Sequence, residues 1–408
     1  MMLLIQNIHV FDPEYQGVKD VLITGNTIHK IADSLPVTAA YDMKIIDGTG
    51  KFLIPGLIDS HVHILGGGGE GGPKTRTPEI TLTDITTGGV TTVCGLLGTD
   101  GTTRTMTNLV AKAKGLQDEG ISTFIYTGSY QVPVRTLTGS IMDDIILLDS
   151  VIGTGEIAIS DHRSSSPANE ELMRIVSDTR VGGILSAKAG VVNIHVGDGR
   201  DMLNPLRYVL DHSEVRPENM CPTHINRNSQ LLYDGIDYAN TYNGYIDFTT
   251  SMDPTVPDSN DISASHAMKI ALDHHVDESH ITFSSDGQGS LPLFKDGKFI
   301  GLGVGKVTSL FDEVRNCVLN ENIPLSTALM PVTSNPAELL KLNAKGRVKE
   351  GYDADLVILN QDLSIDTVIC KGKIMIEHGE VVVKGTFEYR CDCPFDTLCC
   401  ERCHCQIQ

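Results

Sequence analysis

Eight short apolar segments alternate with longer, helix-length segments through the middle of the chain, and this alternation constrains the fold more than any other feature. The candidate strands are residues 53–58, 91–97, 122–126, 156–160, 191–196, 220–225, 245–249 and 281–285. Alternating strands and helices build a parallel sheet, and eight such units favour a closed (β/α)8 barrel over an open, doubly wound sheet. The sequence therefore predicts an α/β protein of the TIM-barrel type, with its polar pocket at the carboxyl ends of the strands.

The two ends of the chain have a different pattern of apolar and polar residues. Residues 1–52 and 346–388 carry short segments of alternating apolar and polar residues, with turn signals such as Asp47-Gly48 between them. This pattern is typical of antiparallel strands. We predict that the two ends meet in one small β-sandwich domain, and that residues 53–345 form the barrel domain between them.

The last twenty residues, 389–408, hold six of the ten cysteines of the chain. These cysteines and His404 could form a thiolate metal site, but their spacings do not match an ordinary zinc module. We therefore favour a disordered appendage that scavenges metal or oxidises. The other four cysteines are scattered, as in a reduced cytosolic protein: Cys94, Cys221, Cys317 and Cys370.

The charge of the chain limits its partners. Its 408 residues carry a formal net charge of -20, which argues against nucleic acid and against an anionic membrane as partners. No segment reaches the roughly 20 uninterrupted apolar residues of a membrane span, and the first residues do not resemble a signal peptide. We therefore expect a cytoplasmic enzyme.

Two histidines follow the first candidate barrel strand. Successive side chains of a strand point to opposite faces, so His61 and His63 share one face at the carboxyl end of that strand. An H-x-H pair alone is often accidental. Two imidazoles that converge at this place could nevertheless bind one metal ion.

Further ligand-type residues lie on other candidate strands. Glu156 begins the fourth strand, His195 lies near the end of the fifth, His224 ends the sixth and Asp286 follows the eighth. Each of these has an ordinary structural explanation when it is taken alone. Together they form a set of nitrogen and oxygen donors that suits Zn²⁺ or Mn²⁺, and one bridging carboxylate would let the set hold two ions.

A glycine-rich run, residues 66–72, directly follows the strand that carries His61 and His63. It could be a linker, but the loops after barrel strands build the pocket of this fold. Glu70 is the carboxylate of this run. We predict that Glu70 meets a positively charged group of the substrate.

Several of these segments resemble the amidohydrolase superfamily of metal-dependent hydrolases, and within it the isoaspartyl (beta-aspartyl) dipeptidases. The similarity covers residues 1 to about 388. The segments that carry it are PGLIDSHVH (55–63), the glycine-rich run 66–72, GSY (128–130), ISDHRS (159–164), NIHVGD (193–198), PTHINR (222–227) and SSDGQGS (284–290).

The resemblance implies roles for individual residues. The metal ligands would be His61, His63, Glu156, His195, His224 and Asp286. The resemblance also implies that Glu70 holds the substrate ammonium, Arg163 and Arg227 hold its carboxylates, Ser290 assists binding and Tyr130 stabilises the oxyanion. Guanidinium groups bind carboxylates in a forked geometry, which agrees with this assignment.

The implied reaction is hydrolysis of the β-aspartyl amide bond of a dipeptide by a hydroxide that two ions share, with Asp286 as general acid and base. The implied cofactor is two Zn²⁺ per chain, with Mn²⁺ or Co²⁺ as alternatives, and the implied assembly is a homo-oligomer such as an octamer. Two other functions stay open at this point. One is a cyclic-amide hydrolase of the dihydropyrimidinase or dihydroorotase type, and the other is a non-catalytic barrel scaffold with an impaired metal site.

One departure from the family pattern concerns the bridging ligand. The family typically bridges its two ions with a carbamylated lysine on the fourth strand, where this chain has Glu156. Glutamate keeps the charge of the bridge but reaches roughly 3 to 4 Å less far from the backbone. Either the strand shifts inward at this position or the metal pair is perturbed, and Lys188 lies too late in the chain to substitute.

Overall fold

The computed structural model describes residues 2–37, 43–252, 260–295 and 298–388. The prediction for the cysteine-rich tail, residues 389–408, lies outside these described residues. The strands are, in chain order, β1 (Met2–Asp12), β2 (Glu14–Thr24), β3 (Thr27–Ala32), β4 (Met43–Asp47), β5 (Phe52–Pro55), β6 (Leu57–Val62), β7 (Val90–Gly95), β8 (Ser122–Thr127), β9 (Val151–Ile159), β10 (Val191–Val196), β11 (Met220–Thr223), β12 (Ile246–Thr249), β13 (Ile281–Ser284), β14 (Ser290–Lys295), β15 (Lys298–Val304), β16 (Leu356–Leu359), β17 (Ile365–Cys370), β18 (Lys373–Glu377) and β19 (Glu380–Val381).

The α-helices follow most of the central strands. They are α1 (Leu82–Thr86), α2 (Met106–Glu119), α3 (Ile141–Leu147), α4 (Asn169–Ser186), α5 (Asn204–His212), α6 (Ser229–Tyr242), α7 (Ala264–Asp273), α8 (Ser309–Leu319), α9 (Leu325–Leu329) and α10 (Ser334–Leu339). Local signals fix their ends. Helix α2, for example, begins after Thr105, whose side chain accepts a hydrogen bond from the Asn108 backbone N–H, and ends at Gly120 in the left-handed conformation.

The central strands form a TIM-barrel-like fold. Strands β6 to β11 make one parallel sheet in sequential order, and β12 pairs in parallel with β13. A backbone bridge between Val62 and Gly287 joins the end of β13 to the end of β6. Every residue of these strands is buried except Phe124, which explains why they read as continuous apolar runs in the sequence.

The first predicted barrel strand, residues 53–58, is wrong in its extent. The structure divides it at Gly56: β5 before this glycine pairs with β1 and β16, whereas β6 after it begins the barrel. A side-chain carbon at position 56 would lie 2.6 Å from Cγ2 of Thr91, so this crossing of the two sheets requires glycine. His61 consequently lies inside β6, and His63 lies one residue after it.

The two ends of the chain meet in one mixed sheet of nine strands. Its hydrogen-bonded order is β19-β18-β17-β16-β5-β1-β2-β3, with β4 paired to β1. A separate apolar cluster that includes Leu3, Ile23, Leu356 and Ile369 packs on this sheet. The pairing of both ends agrees with the expectation from their pattern, while the two-layered sandwich and the domain boundaries stay predictions. No helix among the described residues is both long and apolar enough to cross a membrane.

Candidate metal centre and substrate pocket

Four histidines and one glutamate converge inside the barrel at the carboxyl ends of its strands. His61 lies in β6 and His63 is the residue after it, Glu156 comes from β9, His195 from β10 and His224 from the residue after β11. The five side chains are nearly inaccessible to solvent. The sequence prediction that these residues lie together agrees with the structure.

The Glu156 carboxylate lies in the middle of this cluster. Its Oε2 atom is 3.1 Å from Nδ1 of His195 and 3.4 Å from Nε2 of both His61 and His224. Its Oε1 atom is 3.7 Å from Nε2 of His63. Donor atoms within 4.8 Å of one another define two triads that share Glu156: one with His61 and His63, the other with His195 and His224. One carboxylate therefore faces two sets of imidazoles.

A bulge in β9 explains how a glutamate reaches this position. Thr154 pairs with Val192 and Ile157 pairs with Ile194, so that Gly155 and Glu156 together face the single residue Asn193 of β10. Such bulges redirect side chains near functional sites. A side-chain carbon on Gly155 would lie 2.8 Å from the Asn193 carbonyl oxygen, so glycine is needed for the close approach of the strands. The bulge is the kind of backbone irregularity that the inward-shift alternative requires.

Asp286 is the second carboxylate beside the histidines of the cluster. It follows β13 in the left-handed conformation, with φ of 52°, and its Oδ1 atom lies 3.0 Å from Nε2 of His63 and 3.6 Å from Nε2 of His61. A side-chain carbon on Gly289 would overlap the same carboxylate, at 2.8 Å from its carbon atom. The turn after β13 therefore presents Asp286 to the histidines of β6.

Unsatisfied polar atoms indicate that the cluster fits a divalent cation. Four buried atoms of the cluster have no hydrogen-bond partner among the described residues: Nε2 of His61, Nδ1 of His63, Oε1 of Glu156 and Oδ1 of Asp286. Buried polar atoms without partners are costly and rare in proteins. Imidazole and carboxylate donors at this spacing are the usual ligands of Zn²⁺ and related ions, so a bound cation would satisfy them.

The electrostatics of the cluster favour positive charge at its centre. Burial lowers the pKa of His224 to about 3, which keeps this imidazole neutral and able to act as a ligand. Burial also disfavours a charged His61, but the Glu156 and Asp286 carboxylates outweigh it and raise the pKa of His61 to about 9. Despite burial, the histidines hold the pKa of both carboxyl groups well below their ordinary values. The centre therefore stabilises a cation.

A second layer of side chains orients the imidazoles. Oδ1 of Asn193 lies 3.1 Å from Nδ1 of His61, Oγ1 of Thr249 lies 2.7 Å from Nδ1 of His224, and Oδ2 of Asp161 lies 2.7 Å from Nε2 of His195. Metal-binding histidines usually make such a second hydrogen bond, which fixes the ring and its tautomer. The sequence predicts no role for these three residues, since only the strand pairing brings them beside the histidines.

The predicted substrate-binding residues border the same cluster. Oε1 of Glu70 lies 2.9 Å from Oγ1 of Thr99 and 3.5 Å from a terminal nitrogen of Arg163. Oγ of Ser290, at the start of β14, lies 3.4 Å from Oε2 of Glu70. The Arg163 guanidinium also lies 5.4 Å from the centre of the Tyr130 ring.

Tyr130 and Arg227 lie beside two histidines of the cluster, Tyr130 next to His195 and Arg227 three residues after His224. The Tyr130 hydroxyl lies 2.8 Å from Nδ1 of His195, and burial raises the pKa of this phenol well above its ordinary value, so it stays a hydrogen-bond donor. Arg227 ends the short 3-10 helix Ile225–Arg227 that follows His224. Its Nε atom is buried and has no hydrogen-bond partner among the described residues. The structure thus brings together six sequence-predicted metal ligands and borders them with the predicted substrate residues.

The glycine-rich loop is held against the turn that carries Asp286. The Thr77 hydroxyl donates to the Gln288 carbonyl oxygen at 2.6 Å and accepts from the Gly67 N–H at 2.7 Å. The buried Arg104 guanidinium donates to the carbonyl oxygens of Leu65 and Thr77, at 2.9 and 3.1 Å. These bonds position Glu70 beside the cluster of candidate metal ligands.

The chain is similar to known proteins in sequence and in fold. Residues 218–375 match the model of the Amidohydrolase family. The crystal structure of the beta-aspartyl dipeptidase from Fervidobacterium islandicum AW-1, in complex with the dipeptide beta-Asp-Leu, is similar with a TM-score of 0.87 and 46% identity, over 93% of this chain and 97% of that chain.

More distant matches show the fold alone or cover only part of the chain. The dihydropyrimidinase from Brevibacillus agri NCHU1002 is similar with a TM-score of 0.67 and 16% identity, over 94% of this chain and 97% of that one. The dihydroorotase from Listeria monocytogenes serotype 4a (strain HCC23) is 31% identical over 148 residues, which are 35% of this chain and 31% of that enzyme. The chain thus aligns with about a third of the length of that dihydroorotase.

Proposed function

This chain belongs to the beta-aspartyl dipeptidase family of the amidohydrolases, and on that premise we propose that it hydrolyses the β-aspartyl amide bond of dipeptides. The bond joins the β-carboxyl group of aspartate to the amino group of the next residue. Such a substrate carries a free α-ammonium group and two carboxylates. The proposal therefore requires one anionic group and at least one guanidinium beside the catalytic centre.

The observation that carries the proposal is the pairing of Glu70 and Arg163 at the edge of the cluster of candidate metal ligands. Their charged groups lie 3.5 Å apart, and a terminal nitrogen of Arg163 lies 3.2 Å from Nε2 of His195. A substrate ammonium would bind Glu70, and a substrate carboxylate would bind Arg163. Arg227, with its unpaired Nε atom, is the candidate partner of the second carboxylate.

The proposed metal site consists of His61, His63, Glu156, His195, His224 and Asp286. Two divalent ions held there would polarise the scissile carbonyl group and lower the pKa of the attacking water towards neutrality. Glu156 is the candidate bridge because each of its oxygens faces imidazole nitrogens. Zn²⁺ is the proposed ion, with Mn²⁺ or Co²⁺ as substitutes.

Tyr130 has the proposed role of stabilising the oxyanion. Its hydroxyl stays protonated because burial raises the pKa of the phenol. A protonated hydroxyl can donate to the carbonyl oxygen of the scissile bond, and this hydrogen bond strengthens as negative charge develops on that oxygen. The hydroxyl lies at the correct edge of the cluster for this role, beside His195.

Asp286 has the proposed role of general base and then general acid. Its carboxyl group stays ionised at neutral pH because the neighbouring histidines hold its pKa well below the ordinary value. One carboxylate oxygen faces His63, which leaves the other oxygen to accept the proton of the attacking water. The same oxygen would then deliver this proton to the nitrogen of the leaving amine.

The proposal also includes a cytoplasmic homo-oligomer with a small dipeptide as its substrate. A direct test compares the hydrolysis of β-Asp-Leu, α-Asp-Leu and dihydrouracil by the purified chain, before and after removal of metal with a chelator. We expect metal-dependent cleavage of β-Asp-Leu and little activity on the other two. Faster hydrolysis of dihydrouracil would favour a cyclic-amide hydrolase, and no hydrolysis with Zn²⁺ restored would favour a non-catalytic scaffold.

A further inference from the structure

Asp161 is a buried carboxylate that touches both the proposed metal site and the proposed substrate site. It lies two residues after β9, and its side chain is only 1% exposed. Its Oδ2 atom lies 2.7 Å from Nε2 of His195 and accepts a hydrogen bond of 2.7 Å from a terminal nitrogen of Arg163. Its Oδ1 atom accepts from Nε and from the backbone N–H of Arg163, at 3.0 and 2.7 Å.

We propose that Asp161 is a positioning residue that orients His195 for metal binding and Arg163 for substrate binding at the same time. This inference rests on the proposed function, since it assigns a task to a carboxylate that the proposed mechanism does not use. Asp161 would set the tautomer of His195. It would also set which edge of its guanidinium Arg163 presents to the pocket.

The tautomer of His195 follows from the hydrogen-bonding capacity of its imidazole and of the Asp161 carboxylate. An ionised carboxylate only accepts hydrogen bonds, so at 2.7 Å the Nε2 atom of His195 must carry the proton. The Nδ1 atom, 2.8 Å from the Tyr130 hydroxyl, then carries the lone pair that can bind a cation, and a bound cation would leave the Tyr130 hydroxyl free to donate to substrate. Nδ1 also faces Oε2 of Glu156 at 3.1 Å, and two such acceptors are stabilised by a shared cation. A terminal nitrogen of Arg163 also lies 3.2 Å from Nε2, but a guanidinium only donates, so with Nε2 protonated both groups donate to Asp161 and not to each other.

The orientation of Arg163 follows from the geometry of its guanidinium group. Asp161 binds Arg163 through Nε and one terminal nitrogen, in the forked arrangement that fixes both the position and the plane of the group. The other terminal nitrogen points towards Glu70, at 3.5 Å from its Oε1 atom. Arg163 therefore presents its outer edge to the pocket, and a substrate carboxylate would bind along that edge.

The inference predicts that loss of one carboxylate weakens two different ligands. In Asp161→Asn the carboxamide can offer a hydrogen to Nε2 of His195, which favours the wrong tautomer, and it cannot hold Arg163 by charge. Loss of such an outer partner typically weakens metal binding by about 10- to 100-fold. We expect a rise of this size in the Mn²⁺ dissociation constant, together with a rise in KM for β-Asp-Leu.

The experiment measures Mn²⁺ binding to the full chain from the electron paramagnetic resonance signal of the free ion, and hydrolysis of β-Asp-Leu separately. Mn²⁺ prefers oxygen and nitrogen to thiolate ligands, so the cysteine-rich tail contributes little. Arg163→Gln is the contrasting variant, because it should raise KM while Mn²⁺ binding stays within about threefold of wild type. An Asp161→Asn protein with wild-type Mn²⁺ affinity or wild-type KM would overturn the inference.

Asp20→Asn is the matched control. Asp20 is also buried, at 3% exposure, and accepts from the backbone N–H groups of Asn7 and Leu35, at 2.9 and 2.8 Å, in the sheet of the chain ends. The same substitution there should change thermal stability but neither Mn²⁺ affinity nor KM. Parallel changes in Mn²⁺ affinity and KM in both variants would show a general loss of structure and contradict a specific role for Asp161.

A measurement on the wild-type chain keeps the inference testable if Asp161→Asn does not fold. Proton–nitrogen correlation spectra of histidine-labelled protein, with His195→Gln for assignment, should show His195 protonated at Nε2 and not at Nδ1. The opposite tautomer would overturn the inference. The tautomer and the Mn²⁺ affinity are independent of turnover, so a chain that does not cleave β-Asp-Leu refutes the proposed function and leaves this test intact.

Discussion

Oε2 of Glu156 lies 3.1 Å from Nδ1 of His195, although the two residues stand on neighbouring strands whose regular pairing is interrupted between them. The interruption places Gly155 and Glu156 opposite Asn193 alone. Because the backbone bulges at this point, a side chain shorter than a modified lysine can still face all four histidines. The proposed bridging role of Glu156 is therefore linked to a glycine one residue before it.

Gly155→Ala should perturb the bulge and the metal site together. The added carbon would lie 2.8 Å from the Asn193 carbonyl oxygen, so we expect a loss of about 1 to 3 kcal/mol in the free energy of unfolding and weaker metal binding. Gly115→Ala is the control: Gly115 is exposed within α2 and a carbon there meets no atom within 4 Å, so the change should stabilise by about 0.5 to 1 kcal/mol. Equal metal affinity in the two variants would refute the link.

Glu70→Gln should reduce the preference for substrates with a free ammonium group. We expect kcat/KM for β-Asp-Leu to fall by roughly 10- to 100-fold, the usual size for a hydrogen bond between charged groups. Hydrolysis of succinyl-leucine, which lacks the ammonium, should change little. Glu79→Gln is the control, since Glu79 instead faces Lys112, at 3.3 Å. An unchanged ratio of the two substrates in Glu70→Gln would exclude the assigned role.

Asp286→Asn should separate metal binding from turnover. The amide oxygen can still face the histidines, but the group no longer accepts a proton from water. We expect the metal content to persist while kcat falls by about 100- to 10,000-fold, the range that general acid–base catalysis contributes. Metal content by mass spectrometry and initial rates on the same protein sample check this, and near-normal turnover would contradict the proton transfer.

Asp12→Asn should stabilise the protein above about pH 6 but not near pH 4. Burial raises the pKa of Asp12 from 3.8 to about 6, although the Val348 N–H partly offsets this. The folded state therefore binds the Asp12 proton more tightly than the unfolded chain, and stability is lost as pH rises from about 4 to about 6. Asparagine cannot ionise and avoids this loss.

Thermal unfolding of wild type and Asp12→Asn between pH 4.5 and 7.5 checks this sign. The difference in Tm should grow in favour of the variant as pH rises. Asp33→Asn is the contrasting variant, because the Lys19 ammonium lowers the pKa of Asp33. Replacing Asp33 should therefore give no gain in Tm as the pH rises. A pH-independent difference for Asp12→Asn would contradict the assignment.

Much of the fold follows from the sequence because buried parallel strands have an unmistakable composition. Seven of the eight apolar segments overlap β7 to β13, although the fourth, residues 156–160, begins five residues after the start of β9 at Val151. The predicted family and its hydrolase class are confirmed. The prediction of one strand over residues 53–58 was wrong because two apolar strands of different sheets, β5 and β6, follow each other with one residue between them. Only the packing against Thr91, which is distant in sequence, separates them.

The metal-type residues could be predicted because they lie at fixed places relative to strands. Asn193, Thr249 and Asp161 could not, since polar residues near strand ends are common and only three-dimensional pairing makes them partners of histidines. The sequence also does not show how the short Glu156 side chain comes to face the histidines. A bulge depends on the register between β9 and β10, and neither strand shows that register in its own sequence.

The central claim, that Glu156 bridges two ions in a working dipeptidase, is tested most directly by metal content per chain measured together with β-Asp-Leu hydrolysis. The sample should be a chain that ends at Glu388, so that the tail cysteines cannot bind metal. The account predicts two ions per chain and turnover. One ion or none, with no turnover after Zn²⁺ is added, would contradict it.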